Sequence, residues 1–223
     1  MMFQRMFDVF FSLFALALIS PLLIPIAVLL RLTGENEIFY KQERLGRDAI
    51  KFDLLKFATM LKDSPNLGSG TITLKNDPRI LPMGRFLRKT KINELPQLLN
   101  ILRGDMSFIG PRPLTSETFN AYSEEVQQQI SSVLPGLSGV GSIMFRDEES
   151  LLGSAEDSVE FYHNVIAPYK GALENWYVQN ISVINYFKLI LLTVLVVVFP
   201  KSRLIWWMFR DLPEPPEALK ILK

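Results

Sequence analysis

Several residue types that commonly build functional sites are absent or scarce in this chain of 223 residues. It has no cysteine, which excludes disulfides and thiolate metal sites. Its one histidine, His163, excludes zinc sites made of several histidines and disfavours a Ser-His-Asp triad. The formal net charge is +1, so the overall charge indicates no partner. The basic residues also lack the interleaved aromatic side chains typical of nucleic-acid binding, so no nucleic-acid partner is expected.

What the chain has instead is a concentration of apolar residues near both ends, with a mean hydropathy of +0.19 despite 21% charged residues. Phe10–Leu30 is almost wholly apolar, and its roughly 20 residues would just cross a bilayer as a straight helix. Ser20 and Pro21 interrupt it near its middle. Proline kinks or breaks a helix there, and Ser20 can donate to a freed carbonyl. The segment is either a plain transmembrane anchor or a re-entrant hairpin that returns to the same side, and we expect the hairpin.

A second apolar run, Phe187–Phe199, ends at Pro200 and, at roughly 13 residues, is short for a membrane span. The adjacent Trp206 and Trp207 follow two cations, a pattern typical of the headgroup zone. An interfacial helix lying on the membrane and a buried core helix are both compatible with this run. The apolar surface of Phe187–Phe209 would also suit a homodimer.

The polar middle of the chain contains recognisable strand and turn signals. Ile38–Tyr40 and Ile50–Leu54 predict two strands of a hairpin around the turn at Gly46. Further on, Thr115–Val133 is polar on most faces and predicts one surface helix. Leu134–Ser142 predicts a glycine-rich loop, but it lacks the Lys-Ser/Thr spacing of a phosphate-binding loop.

The central stretch, Gly84–Leu114, holds the chemistry. Leucines recur at helical spacing between positions 95 and 102, with Pro96 near the start of that helix. Arg85 and Arg88 precede Glu94, and arginine matches phosphate oxygens with two parallel donors. A helix start beside several cations suits an anion. The stretch therefore predicts a phosphate-handling site around Glu94.

Four sequence blocks occur in a fixed order: KFATM at Lys56–Met60, NDPRI at Asn76–Ile80, the central stretch Gly84–Leu114, and PGLSGVGS at Pro135–Ser142. With these blocks the chain resembles the bacterial sugar transferase family, the monotopic phosphoglycosyl transferases that start polysaccharide and glycoconjugate assembly. The resemblance implies transfer of a sugar 1-phosphate from a UDP-sugar to polyprenyl phosphate, with release of UMP and help from Mg²⁺. It also implies a location at the cytoplasmic face of the bacterial inner membrane, in contact with membrane lipids.

The resemblance implies an α+β fold in three parts. Residues 1–36 would form a re-entrant membrane helix hairpin, residues 37–180 a small mixed α/β catalytic domain on the cytoplasmic side, and residues 181–223 interfacial amphipathic helices and a tail. Lys56, Arg85, Arg88 and Arg112 would meet substrate phosphates. Pro111 and Pro113 would stiffen the loop that aims Arg112. Asp105 would either support the site or end a helix.

The chain departs from the family at the position that matters most. Where the family has an Asp-Glu pair whose Asp attacks phosphorus, this chain has Asn93 and Glu94. Four explanations remain open: an engineered trap, a natural variant in which Glu94 or another group attacks, direct transfer between substrates, or a silent chain. We expect a natural active variant in which Glu94 binds the metal, attacks, or transfers a proton. A second departure is Ala58, where the family usually has arginine.

Two other functions compete with the enzyme. A scaffold of the same fold could recruit the lipid-linked sugar pathway without turnover, and Asn93 favours it. A membrane anchor could use its basic residues to bind anionic lipid. The enzyme is the main hypothesis, since a plain anchor has no need for the whole ordered set of blocks.

Overall fold

The computed structural model describes residues 2–33, 35–67, 77–153, 157–199 and 202–222, so Asn76 of the NDPRI block lies outside it. In the described residues, four strands form two two-stranded sheets: β1 (Phe39–Leu45) pairs with β2 (Lys51–Phe57), and β3 (Ser107–Ile109) pairs with β4 (Gly136–Ser138). The α-helices, in chain order, are α1 (Met2–Thr33), α2 (Pro82–Lys89), α3 (Gln97–Arg103), α4 (Ser116–Asn120), α5 (Glu124–Ser131), α6 (Val140–Met144), α7 (Glu148–Gly153), α8 (Ser158–Phe161), α9 (Ala167–Gln179), α10 (Val183–Val198) and α11 (Leu204–Met208).

These elements form two compact units. The larger unit comprises Met1–Phe7, Arg44–Phe52 and Gly104–Lys223, and the smaller unit comprises Asp8–Glu43 and Asp53–Arg103. The domain boundaries expected from the sequence stay a prediction.

The N-terminal apolar segment forms one helix. α1 is assigned as helical throughout, including Pro21 and Pro25. Within the described residues it alone is both long and apolar enough to cross a membrane. Ser20 donates from its hydroxyl to the carbonyl of Ala17 at 3.0 Å. That carbonyl lies four residues before Pro21, which has no N–H to reach it. Ser20 therefore donates to a carbonyl that Pro21 leaves without its helical partner, whereas the re-entrant hairpin is not confirmed.

The smaller unit has a core that joins the end of α1 to the elements of the central stretch. Ile26 and Leu30 of α1 are buried against Phe57 of β2 and Leu87 of α2. Burying such side chains contributes roughly 1.5–3 kcal/mol each. The last turns of α1 are thus a structural part of the unit that carries Lys56, Arg85 and Arg88.

The larger unit is built around α9. Leu173 and Tyr177 of α9 are fully or almost fully buried in a core shared with Ile109 of β3, Val140 of α6 and Leu189 of α10. β3 and β4 run parallel, with Ser107 opposite Gly136. The carboxyl ends of parallel strands lie at one edge of a sheet, where ligands commonly bind in α/β proteins.

Two local expectations were wrong. The predicted surface helix Thr115–Val133 is two helices, α4 and α5, because Tyr122 is buried between them and Ser123 begins α5 by accepting from the Val126 N–H at 3.5 Å. The predicted glycine-rich loop Leu134–Ser142 contains β4 and the start of α6.

Candidate functional site

The residues predicted from the sequence divide between the two units. Lys56, Arg85, Arg88, Asn93 and Glu94 belong to the smaller unit. Asp105, Pro111 and Arg112 belong to the larger unit.

Asn93 and Glu94 lie on a short 3₁₀ helix, Ile92–Glu94, between α2 and α3. Lys91 precedes it in a left-handed conformation with φ of 61°, which reverses the chain after α2. Asn93 is 6% exposed, and its Oδ1 has no hydrogen-bond partner in the described part of the chain. Glu94 is half-buried. A buried polar atom without a partner costs free energy, and a bound ligand that supplied a partner would remove that cost.

Lys56 lies on the strand to which α3 is fixed. The amide of Asn100 on α3, fully buried, accepts from the Leu55 N–H at 3.0 Å and donates to the Asp53 carbonyl at 2.8 Å. The Asn100 side chain thus bonds the backbone of β2 at Asp53 and at Leu55, the residues before and after Leu54. Lys56 follows at once on β2 and donates to the Gln42 side chain at 3.2 Å.

Arg85 and Arg88 lie on α2, three residues apart and therefore on one side of that helix. The start of α2 is held against the segment after β2, because the Leu81 N–H donates to the Thr59 carbonyl at 3.0 Å. A Cβ at Gly84 would lie 2.1 Å from that same carbonyl oxygen, so the helix backbone touches the segment directly. The Arg88 guanidinium lies 3.8 Å from the Met60 sulfur.

The two arginines on α2 have no carboxylate partner in the part of the chain that the structure describes. Arg85 is exposed and Arg88 is half-buried, and neither forms an ion pair within the described residues. By contrast, Arg79 nearby in sequence is buried in an ion pair with Asp77 at 2.5 Å, and it also donates to the carbonyls of Ser64 and Leu67. Arg79 is therefore structural, whereas Arg85 and Arg88 are available to an anionic ligand.

The larger unit presents Arg112 on the loop that follows β3. Arg112 is exposed, while Pro111 and Pro113 on either side of it are buried. The loop touches the next strand closely, because the Gly136 N–H donates to the Pro111 carbonyl at 2.8 Å. A Cβ at Gly110 would lie 2.4 Å from the Leu134 carbonyl oxygen. Asp105 is half-buried and follows Gly104, whose φ of 97° ends the turn after α3.

Sequence reasoning missed a buried polar cluster on α9. Glu174 is 2% exposed, and its Oε1 accepts from the Arg112 backbone N–H at 3.4 Å. Burial raises the pKa of Glu174 to about 7, against the lowering effects of that hydrogen bond and of the charges of Lys170 and Arg112. Lys170, also buried, pairs with Glu148 at 2.9 Å. The four-residue spacing of Lys170 and Glu174 in a largely apolar segment was the signal that could have revealed the cluster.

Burial also acts on two tyrosines of the larger unit. It raises the pKa of Tyr162 to about 12, and the negative charge of Glu148 adds to the effect. It likewise raises the pKa of Tyr122 well above its usual value. Both phenols stay neutral at physiological pH.

Metal binding has few protein ligands to draw on. Within the described ranges, no three Asp, Glu or His side chains form a metal-binding group. Mg²⁺ takes carboxylate and carbonyl oxygens, usually needs only one or two protein ligands, and completes its shell with phosphates and water.

Comparison with known proteins adds an independent line of evidence. Residues 1–200 match the family described as bacterial sugar transferase. The exopolysaccharide production protein ExoY of Rhizobium meliloti (strain 1021) is 34% identical over 177 residues, which are 73% of this chain and 78% of that protein. The sugar transferase EpsL of Bacillus subtilis (strain 168) is 34% identical over 194 residues, 87% of this chain and 86% of that protein. The undecaprenyl-phosphate galactose phosphotransferase of Salmonella typhimurium (strain LT2) is 32% identical over 208 residues, 87% of this chain but 40% of that longer protein.

Proposed function

Since this chain belongs to the bacterial sugar transferase family, we propose that it moves a sugar 1-phosphate from a UDP-sugar to polyprenyl phosphate and releases UMP. The name of the Salmonella typhimurium relative specifies undecaprenyl phosphate, which supports the acceptor. One observation carries the proposal: Glu94 directly follows Asn93, whose buried amide oxygen has no hydrogen-bond partner among the described residues, in a unit where Arg85 and Arg88 form no ion pair with those residues. Such a set suits a diphosphate and a reacting phosphorus.

Arg85 and Arg88 are the proposed contacts for the donor's phosphate oxygens, and Lys56 is the third. Neither arginine forms an ion pair within the described residues, which leaves positive charge for a ligand that brings at least two negative charges. Arg112 of the larger unit is proposed to contact a substrate phosphate as well, since its exposed guanidinium stands on a loop stiffened by two buried prolines.

Glu94 is proposed to carry the covalent step. One oxygen of its carboxylate attacks the phosphorus bonded to the sugar, and the bond from that phosphorus to the bridging oxygen breaks, so UMP leaves with the electron pair. A phosphate oxygen of the acceptor then attacks the same phosphorus and releases the carboxylate. Asn93 is neutral and cannot be this nucleophile. Mg²⁺, held by Glu94 and Asn93, would supply positive charge to the phosphate oxygens.

UMP release from a panel of UDP-sugars, with polyprenyl phosphate and Mg²⁺, tests the activity. We expect the chain to release UMP, Glu94→Gln to abolish release, and Glu124→Gln on exposed α5 to leave it unchanged. Exchange of labelled UMP into the UDP-sugar without acceptor tests the covalent step, because exchange requires an intermediate. Release without exchange would mean direct transfer, with Glu94 only orienting the substrates.

Asn93 favours a second candidate, a silent scaffold that binds the same ligands. In that case the chain would bind a UDP-sugar without releasing UMP. Asn93→Asp would separate two forms of this candidate: restored turnover would identify a disabled enzyme, and no turnover would identify a scaffold. UMP release by the unaltered chain would exclude both.

We further propose that the chain lies at the cytoplasmic face of the bacterial inner membrane. α1 exposes apolar side chains along much of its length, including Phe10, Phe14 and Leu18. α10 buries Leu189 and Leu192 and exposes a row on another side: Ile184, Phe187, Leu191, Val194 and Val198. Such a row, with Trp207 70% exposed nearby in sequence, suits a helix lying in the interface. A homodimer remains a prediction.

The re-entrant form of α1 is part of this proposal. Proline at positions 21 and 25 lowers the cost of a bend, and Ser20 re-bonds one of the freed carbonyls. Single cysteines introduced at positions 2 and 45 should then react with a membrane-impermeant thiol reagent from the same side. Labelling from opposite sides would establish a plain transmembrane helix.

A further inference from the structure

One helix holds the Arg112 loop near both of its ends. The Tyr177 hydroxyl on α9 donates to the Ile109 carbonyl at 3.0 Å, and the Arg112 N–H donates to Glu174 Oε1 at 3.4 Å. Glu174 and Tyr177 are three residues apart and therefore lie on one side of α9. We propose that Glu174 and Tyr177 are positioning residues, which fix the Ile109–Arg112 loop on α9 and thereby aim the Arg112 guanidinium at the substrate.

The loop has little freedom to move once these two contacts are made. Gly110 and Gly139 touch backbone to backbone, since a Cβ at Gly139 would lie 2.2 Å from the Gly110 carbonyl oxygen. The Gly110 N–H donates to the Ser138 carbonyl at 3.0 Å. β4 therefore supports the loop on one side and α9 on another, and the exposed Arg112 side chain leaves from a backbone of fixed direction.

Glu174 acts as a hydrogen-bond acceptor and not as the charged half of an ion pair. It is 2% exposed, and its Oε2 has no partner within the described residues. Lys170, the cation one turn earlier on α9, is paired with Glu148. The raised pKa of Glu174, about 7, means that much of this carboxyl is protonated near neutral pH. Glutamine, a neutral amide of the same shape, should therefore take over the role of Glu174 as hydrogen-bond acceptor.

The packing around Glu174 explains one glycine of the Pro135–Ser142 block. A Cβ at Gly141 would lie 2.3 Å from Glu174 Oε1, so any side chain there would push the carboxyl away from the Arg112 N–H. Gly141 thus leaves room for the Glu174 carboxyl at its contact with the Arg112 N–H.

The kinetic test rests on the proposed function, since it uses KM for the UDP-sugar to report on the contact between Arg112 and the donor. We expect Glu174→Ala and Tyr177→Phe each to raise KM for the UDP-sugar about tenfold or more, the effect of misplacing one charged hydrogen bond. Glu174→Gln keeps the hydrogen-bond acceptor, so its KM for the UDP-sugar should stay close to that of the unaltered chain. Leu173→Ala, a buried truncation on the same helix, should lower thermal stability without raising KM.

Arg112→Ala provides the background that separates positioning from general damage. If Glu174 and Tyr177 act through Arg112, their substitutions should cause no further rise in KM in the Arg112→Ala protein. A further rise of the same size in that background would overturn the proposal.

Hydrogen exchange of the backbone amides of residues 107–114 gives a readout independent of activity. Glu174→Ala and Tyr177→Phe should speed exchange in this segment, and Glu174→Gln should not. Unchanged exchange in both of the first two variants would overturn the proposal whatever the kinetics. If the chain releases no UMP from any donor, the proposed function fails, and exchange alone decides whether α9 fixes the loop.

Discussion

Replacing Glu174 by Gln should make the chain's stability less dependent on pH. Glu174 has a pKa of about 7 in the folded protein, against 4.5 as the ordinary value, and burial is the main cause. Folding therefore favours the protonated form. The contribution of protonated Glu174 to the stability of the folded protein is complete below the pKa of this residue in the unfolded chain. It is lost as the pH rises through its pKa in the folded protein. The charged and titratable groups facing the carboxyl are Lys170, Arg112, Tyr122 and, through Lys170, Glu148.

The size of the effect follows from the shift. One pKa unit corresponds to about 1.4 kcal/mol, so a shift of about 2.5 units lowers the free energy of unfolding by about 3 kcal/mol above pH 7. Between pH 5 and pH 8 the change is about 2.5 kcal/mol. For a protein of this length that is roughly 5–10 °C in melting temperature. Gln at 174 keeps the shape and cannot ionise, so it should escape this loss.

Thermal unfolding in detergent micelles at a series of pH values measures the effect. The melting temperature of the unaltered chain minus that of Glu174→Gln should fall by roughly 5–10 °C from pH 5 to pH 8. Other titrating groups are common to both proteins and cancel in the difference. Glu124→Gln, at an exposed position on α5, serves as the control and should show no such trend. A difference for Glu174→Gln that does not change with pH would refute the account of its burial.

Three further outcomes follow from the smaller unit. Asn100→Ala should lower the free energy of unfolding by about 2–3 kcal/mol, measured by thermal melting, because it leaves the Leu55 N–H and the Asp53 carbonyl without partners. Gly84→Ala should also lower the melting temperature, since its Cβ would clash with a backbone oxygen and no side chain can move aside. Arg88→Gln should raise KM for the UDP-sugar by roughly 10–100-fold, whereas Arg103→Gln, exposed at the end of α3, should not. Equal effects of the two arginine variants would argue against a phosphate contact.

The elements with strong local signals were predictable from the sequence. The hairpin of β1 and β2 follows from Gly46 between two apolar segments, and α3 follows from its leucine stripe and Pro96. β3 and β4 were not predictable as strands, because three-residue buried parallel strands show no alternation and β4 starts at a glycine. The break between α4 and α5 depends on Tyr122, whose burial is a tertiary effect.

The residues proposed for the candidate site came from the sequence, but their environment could not be predicted from it. Motif order identified Lys56, Arg85, Arg88, Asn93 and Glu94, and the structure holds all five in the smaller unit. No local pattern could show that the Asn93 amide oxygen is buried without a partner among the described residues, or that among them Arg79 forms a buried ion pair while Arg88 forms none. These properties depend on tertiary contacts between segments that are distant in sequence, and local sequence patterns do not reveal such contacts.

The neutral side chain at position 93 should weaken binding of the divalent cation. Asn93 is 6% exposed and its Oδ1 has no partner among the described residues, so an aspartate of the same shape would add a carboxylate mostly removed from water at the position before Glu94. Such a charge is unfavourable unless a cation compensates it. We therefore expect Asn93→Asp to melt at a lower temperature in EDTA than the unaltered chain. Adding Mg²⁺ should raise the melting temperature of Asn93→Asp by more than it raises that of the unaltered chain.

The affinity of Asn93→Asp for Mn²⁺, measured by electron paramagnetic resonance with UDP present, should be at least about tenfold higher than that of the unaltered chain, while Glu94→Gln should lower the affinity. Equal Mn²⁺ affinity in the Asn93→Asp protein would show that position 93 does not contact the ion.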